Sequence, residues 1–345
     1  MTEEQLFADL AQLSATFAAE LQRVAEQQSL GATILVLANA IQQPALWRSL
    51  SPSLVPLFER QADTLRQQLR RGLSLSESED DVLVFLKLMA IGLTALQPAQ
   101  THQCGRWELQ FNPLRALRPP RAAKERVVTN HKPFDAQGFH FNRPFLRAET
   151  LWQGELQGRA VDLLYNKFPF IDYHLLLVPE RQREAAQYLT EADHNYLWGV
   201  MRWLGERITG IGGGYNSYGA FASVNHLHVQ LFVRQAPLPV ESRQWCHHGG
   251  SDPYPTEVMS FSGAEEGWRA IAHLHEQGVS YNLLYRPDRL YLFPRRYQGT
   301  RPLAKWSGGA AWYELCGGVV CFNRDDVQSL TPVMIAAELS AQKRN

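Results

Sequence analysis

The residues with chemical potential sit together in Asn225-His-Leu-His-Val-Gln-Leu-Phe-Val233. Side chains of an extended strand alternate between faces, so His226, His228 and Gln230 share one face. Leu227, Val229, Leu231 and Val233 share the other, which reads as the core face. Two imidazoles and an amide in a row read as the lining of a polar cleft. Three readings fit them. The histidines can be satisfied surface residues. They can supply two ligands to a metal, although spacing points to no third ligand and His174, His194, His247 and His248 are only guesses. Or a neutral imidazole, with a pKa of about 6.5, can attack phosphorus and displace a phosphate leaving group to give a phosphoramidate. Upstream, Gly212-Gly-Gly-Tyr-Asn-Ser217 reads as a glycine-rich turn able to aim backbone N–H groups at an anion. No Gly-Lys-Ser/Thr follows it, so it is not a Walker loop. A second His-x-His, His273 and His275, lies in a stretch that reads as helix, where residues two apart do not share a face.

These residues need a scaffold, and 345 residues is enough for two or three domains. Lys plus Arg and Asp plus Glu are both 34, which argues against a protein that coats nucleic acid. A hydrophobic content of 45% supports a genuine core. No apolar run reaches the roughly 20 residues of a membrane span, and the acidic start lacks a signal-peptide layout. The four cysteines contain no Cys-x-x-Cys, so neither a disulfide framework nor a thiolate zinc site is expected. The expectation is a cytoplasmic, thiol-reduced protein with no membrane or nucleic-acid partner.

The first hundred residues read as helical. Leu6, Leu10, Leu13, Phe17, Leu21 and Val24 follow helical spacing, with Gly31 as a stop. A second helix runs from Leu54 to Arg71, and a third covers Val82 to Leu96 with Ser76 and Glu79 at capping-box spacing. These helices read as a packing layer without chemistry of their own. After Gln100, prolines cluster (Pro113, Pro119, Pro120, Pro133, Pro144) and strands replace helices. Strands are expected at Ala148 to Leu156 and Arg159 to Asn166 around Gly158, at Tyr173 to Val178, and from Ala220 to Val233. Leu189 to Ile208 reads as a helix, Pro237 to Pro255 as a linker, and Thr331 to Gln342 as a closing helix. A faint repeat lays Tyr173–Arg181 on Asp288–Arg296 and His226–Arg234 on Cys316–Arg324.

His226-Leu-His-Val-Gln230 resembles the signature of the histidine triad superfamily, in the transferase branch where glutamine replaces the third histidine. That branch holds galactose-1-phosphate uridylyltransferase, diadenosine tetraphosphate phosphorylase and the GDP-hexose phosphorylases. Gly214 to Gln230, Tyr165 to Pro179 and Pro133 to Asn142 are most similar to the GDP-L-galactose and GDP-D-glucose phosphorylases. Tyr281-Asn-Leu-Leu, Tyr291-Leu-Phe-Pro294 and Trp312 to Gly317 resemble their C-terminal half. The resemblance covers about Trp107 onward. It implies an α+β fold of duplicated histidine-triad-like antiparallel sheets with flanking helices, plus the N-terminal helical region. The expected divisions are 1–100 helical, 101–236 a catalytic half and 237–345 a degenerate second half.

The same resemblance implies a nucleotidyltransferase that phosphorolyses a nucleoside-diphosphate sugar, with a GDP-hexose favoured. His228 would be the nucleophile, His226 its orienting neighbour through a hydrogen bond, and Gln230 a donor to a phosphate oxygen. Asn166 falls at the ribose position, and Asn216, Ser217 and Ser223 at the phosphate side. Lys167, Arg295 and Arg296 are candidate cations for the sugar phosphate, with Asn282 beside them. The partners implied are a nucleotide-sugar or dinucleotide substrate, inorganic phosphate and a second copy of the chain. No cofactor or metal is implied. Diadenosine tetraphosphate phosphorylase (ATP adenylyltransferase) is the alternative activity, and a nucleotide-binding regulator without turnover is the alternative class. Two departures stand out. Leu227 replaces the proline of the uridylyltransferase, and Lys124 to His131 lacks the paired cysteines of zinc-binding relatives.

Overall fold

A computed structural model describes residues 1–118 and 126–344; Pro119, Pro120 and Lys124 lie outside the described residues. The chain opens with helices α1 (Glu3–Leu6), α2 (Leu10–Ala25), α3 (Leu30–Gln42), α4 (Pro44–Arg70) and α5 (Glu79–Ile91). Helix α3 went unread in the sequence because it lacks a polar face. All 13 of its residues are buried, as expected of a helix apolar on every side. Ser29 caps it by accepting the Ala32 N–H, so Gly31 lies inside a helix and does not stop one. The capping residue of α5 is Ser78, which accepts from the Asp81 N–H, and not Ser76. Helix α4 starts ten residues before its expected Leu54, with Pro52 and Pro56 inside it.

Two sheets follow. Strands β1 (Gln100–Cys104), β2 (Trp107–Phe111) and, from the far end of the chain, β11 (Gly318–Cys321) form the smaller. The larger contains β3 (Thr150–Leu156), β4 (Arg159–Tyr165), β5 (Leu175–Pro179), β6 (Ile211–Asn216), β7 (Val229–Val233), β8 (Met259–Phe261), β9 (Ser280–Arg286) and β10 (Arg289–Arg295). Its order is β3-β4-β5-β7-β6-β9-β10-β8, and every pairing is antiparallel. Helices α6 (Glu191–Gly205) and α7 (Ala264–Glu276) pack on it, while α8 (Trp312–Leu315), α9 (Arg324–Ser329) and α10 (Pro332–Ser340) close the chain.

The duplication is legible in this order. Strand β5, helix α6, β6 and β7 have the same connectivity as β8, α7, β9 and β10. Each set runs outward from the centre as second, third, first strand, and β6 meets β9 at the middle. The strand correspondence therefore differs from the sequence alignment. Strand β7 answers to β10, and β11, laid on β7 by similarity, pairs in parallel with β2 in the other sheet. Short apolar strands resemble one another too readily for similarity alone to assign partners.

Two other expectations change. Gly212, Gly213 and Gly214 are not a loop but the middle of β6, hydrogen-bonded to β7 on one side, with Gly213 and Gly214 also paired to β9. Side chains have no room there: a Cβ on Gly214 would run into the Trp312 ring, and one on Gly213 would sit 3.0 Å from Val229. The stretch Pro237 to Pro255 is not a loose linker. Val240, Trp245 and Tyr254 are buried in the core beneath the smaller sheet, with Trp245 stacked on Trp107.

The helical layer packs on the main sheet through polar as well as apolar joints. Phe17 packs edge-on against Tyr165 and Tyr173, and the Tyr165 hydroxyl donates to the Phe17 carbonyl at 2.7 Å. Asn39, inside α3, donates to the carbonyls of Leu35 at 2.9 Å and Asn166 at 3.0 Å. Removing that amide leaves a part-buried carbonyl unpaired, which costs about 1–3 kcal/mol. Asn39→Ala is expected to lower unfolding stability by about that amount in a urea melt; an unchanged midpoint would show that the layers are held by apolar contact alone.

Candidate active site

His226 and His228 precede β7, which begins at Val229 and carries Gln230. The His228 ring is buried, and its Nδ1 lies 2.8 Å from the carbonyl oxygen of His226. A carbonyl can only accept, so Nδ1 holds the proton and Nε2 presents its lone pair. Nε2 has no hydrogen-bond partner among the described residues, and His228 lines a cleft of about 920 Å³. The backbone around it is pinned by Gln187: its Oε1 accepts the His228 N–H at 2.8 Å, and its Nε2 donates to the His228 carbonyl at 3.1 Å.

The expected hydrogen bond between neighbouring histidines exists, but the backbone of His226 makes it. The His226 ring turns into a pocket of Phe134, Phe141 and His140, where its Nδ1 accepts the Phe141 N–H at 3.1 Å. Gln230 is held by its oxygen, which accepts from the Trp312 indole N–H at 2.9 Å and lies 3.0 Å from His174 Nε2. Trp312 also donates its backbone N–H to Asn216 Oδ1 at 2.9 Å, and Asn282 Nδ2 reaches the same oxygen at 2.6 Å.

The cleft has two walls of opposite character. The sheet wall carries His228, Gln230, Asn216 and Asn166, with cations at Arg115, Arg118 and Lys167. The facing wall comes from the helical layer: Ser29, Gly31, Ala32 and the acidic run Glu77 to Asp81. Lys167 links the walls, 2.7 Å from Asp81 and 4.0 Å from Glu149. The first hundred residues, read as packing alone, thus form one wall of the site. Phe139 and Phe145, both exposed, line the cleft too.

Of the residues singled out from sequence, His228, Gln230, Asn166, Lys167, Asn216 and Ser223 meet at this cleft. His226, Ser217, Asn282, Arg295 and Arg296 do not line it. Ser217 is buried and accepts the Tyr281 N–H at 2.9 Å, tying β6 to β9. Arg295 is almost wholly buried, donating to the Ala310 carbonyl and to Gln342 at 2.6 Å, with Asn282 Oδ1 at 3.4 Å and the Phe221 ring beneath it. It braces the site from behind. The residue that sequence reasoning missed is Arg115. It donates to the Phe168 carbonyl at 2.6 Å, lies over the Phe170 ring, and leaves Nε without a partner. Burial, reinforced by Arg118, lowers its pKa to about 9, so it stays cationic at neutral pH. Only its place after β2, with Asn112 accepting its backbone N–H at 3.1 Å, brings it here, and no motif announces that. Of the second His-x-His, His273 is exposed while His275 stacks on Tyr188. Among the described residues no three of His, Cys, Asp and Glu converge on a point that could hold a metal ion.

Paired antiparallel sheet halves with flanking helices, and an unprotonated histidine nitrogen open to a cleft, define an α+β protein with one candidate site. Residues 105–232 match the family model described as GDPGP1-like, N-terminal domain. Over 123 residues the chain is 31% identical to GDP-D-glucose phosphorylase 1 of Danio rerio, covering 35% of each protein. Over 131 residues it is 34% identical to the enzyme of that name from Homo sapiens, covering 36% of this chain and 32% of that one. The chain thus spans about a third of the length of these curated relatives. Among solved structures it is similar to yeast Ap4A phosphorylase Apa2, with a TM-score of 0.49 and 16% identity over 78% of this chain and 97% of that one. Over this third of the chain, which includes His226, His228 and Gln230, the similarity is to GDP-D-glucose phosphorylases.

Burial lowers the pKa of His228 to about 4, opposed by the hydrogen bond to the His226 carbonyl. Burial likewise lowers His226 to about 4 and His174 to about 3. The folded protein therefore binds fewer protons than the unfolded chain below pH 6.5, so these groups' stabilising share is whole above that value and is lost as pH falls towards 4. Nitrogen NMR should find His228 as the neutral Nδ1–H form from pH 8 down to about 5.5; an imidazolium signal at pH 6 would refute the assignment.

Proposed function

We propose that the protein is a nucleotidyltransferase that phosphorolyses a nucleoside-diphosphate sugar, with a GDP-hexose favoured. The observation that carries this reading is the neutral Nε2 of His228, open to a cleft with the Gln230 amide beside it. Nε2 attacks the α-phosphorus, a nitrogen–phosphorus bond forms, and the bond to the bridging oxygen breaks. Hexose 1-phosphate leaves with that oxygen. The imidazole is now a cation, and the His226 carbonyl at Nδ1 stabilises it where the charge develops. Inorganic phosphate then attacks the same phosphorus, releasing the nucleoside diphosphate and restoring the neutral ring. Ping-pong kinetics follow.

The other side chains have roles in keeping with their positions. Asn216 and Gln230 offer N–H donors to non-bridging oxygens, and Arg115, Arg118 and Lys167 offset phosphate charge. Glutamine at 230 has no titratable proton, which suits an intermediate that waits for phosphate. The acidic run Glu77 to Asp81 supplies acceptors for sugar hydroxyls or base N–H groups across the cleft. The matches to GDP-D-glucose phosphorylases favour a GDP-hexose. A cytoplasmic setting and a homodimer belong to the same proposal.

Incubation with a labelled GDP-hexose in the absence of phosphate should leave one nucleotidyl group on the wild-type chain, removed on adding phosphate. His228→Ala should show no adduct and a rate lower by roughly 10⁴-fold or more, as when a covalent nucleophile is lost. Full activity in that variant would refute the mechanism. Turnover of diadenosine tetraphosphate and of no GDP-, UDP- or ADP-sugar would move the assignment to the other phosphorylase. Binding without turnover of any of them would make the protein a regulator.

A further inference from the structure

A side-chain amide is a donor at one end and an acceptor at the other, and nothing in the residue type decides which end meets a ligand. At this cleft the decision is made by a residue from the far end of the chain. The indole N–H and the peptide N–H of Trp312 can only donate. The first is 2.9 Å from Gln230 Oε1 and the second 2.9 Å from Asn216 Oδ1. Each oxygen has a second nitrogen beside it, His174 Nε2 at 3.0 Å and Asn282 Nδ2 at 2.6 Å. Around His174, the Phe170 N–H points at Nδ1 at 3.4 Å and the Asn166 amide nitrogen lies 3.2 Å from Nε2, so the orientation of the Gln230 amide rests on the indole N–H, which can only donate. Both amide oxygens are thereby taken up inside the protein. Both NH₂ groups are without a hydrogen-bond partner among the described residues, and both residues line the cleft with His228.

We propose that Trp312 is the positioning residue that makes this part of the cleft a donor-only face, matched to the non-bridging oxygens of a phosphoryl group. The ring has little freedom to do otherwise. It is fully buried, stacked on Phe232 at 5.1 Å and 12°, and occupies the space that a side chain at Gly214 would fill. This explains two features together: a glycine at position 214 of a central strand, and a tryptophan from the C-terminal segment inserted behind the amides of the other half. If either amide rotated, a lone pair would face the phosphoryl oxygens where a donor is needed. The proposal rests on the phosphoryl-transfer reading of the same cleft.

Trp312→Phe keeps an aromatic ring and the peptide N–H and removes the indole N–H with the five-membered ring that carries it, so the packing loss is separated by the double-mutant comparison below. Losing a whole transition-state donor costs about 10²–10³ in kcat. Because His174 still lies beside the Gln230 oxygen, a loss of about 10-fold in kcat is expected, with KM for the nucleotide nearly unchanged. In a Gln230→Ala background the same substitution should cost nothing more, because it acts through Gln230. Equal losses in both backgrounds would mean that Trp312 is only packing, and would overturn the proposal. Should the wild type prove to have no turnover, the cycle is read in calorimetric affinity for GMP. Coupling there would uphold the donor face while the catalytic reading fails, and its absence there would overturn the donor face as well. If Trp312→Phe does not fold, wild-type NMR decides. On adding inorganic phosphate the Gln230 NH₂ protons should shift and the Trp312 indole proton stay; the reverse would overturn the proposal.

Discussion

A single hydrogen bond, from Nδ1 of His228 to the carbonyl of His226 two residues earlier, sets the terms for the rest of the site. It assigns the proton to one ring nitrogen and leaves the other with its lone pair free at the cleft. Such a short loop-back works only if the backbone between the two histidines is rigid. Gln187, reaching in before α6, fastens that backbone by both ends of its amide, and a further bond ties it to Asn216 at the end of β6. Burial keeps the ring neutral across the physiological range, and the two hydrogen bonds to Gln187 fix the backbone that orients it.

The central strand β6 serves the same end through three consecutive glycines, Gly212 to Gly214. Glycine in the middle of a sheet is costly and is retained where another group must come close. Here that group is the indole of Trp312, which reaches the amide of Gln230 by crossing over Gly214. The half of the duplicated sheet without a histidine pair therefore still contributes. It supplies Asn282 behind Asn216, and the chain beyond it supplies the tryptophan. Arg295, buried behind Asn282, holds this support together as part of the framework.

The cleft sits between layers with different electrostatic characters. The sheet brings cations and N–H donors, and the helices bring carboxylates. A ligand with phosphates at one side and hydroxyls or base N–H groups at the other has complementary partners in both. Helix α3, buried along its whole length, contributes Gly31 and Ala32 to the helical wall, and Asn39 joins it to the Asn166 carbonyl of the other.

The sequence by itself determined where the polar cluster lies, in His226 to Gln230, and that Leu227 and Leu231 are buried. The strand expected from Ala220 begins only at Val229, so alternation does not govern the two histidines, and only His228 of the pair lines the cleft. The sequence also determined the β3–β4 hairpin around Gly158 and helices α2, α6 and α7, because a strong local period or a tight turn needs no distant partner. Other features were decided by the tertiary structure. The glycines of β6 look the same in a strand as in a loop until Trp312 and the flanking strands are in place. Helix α3 carries no amphipathic signal because both of its sides are covered. Arg115 enters the cleft and Arg295 leaves it, although the two are chemically identical, because the position of a cation relative to a ligand is set by contacts between residues far apart in the chain.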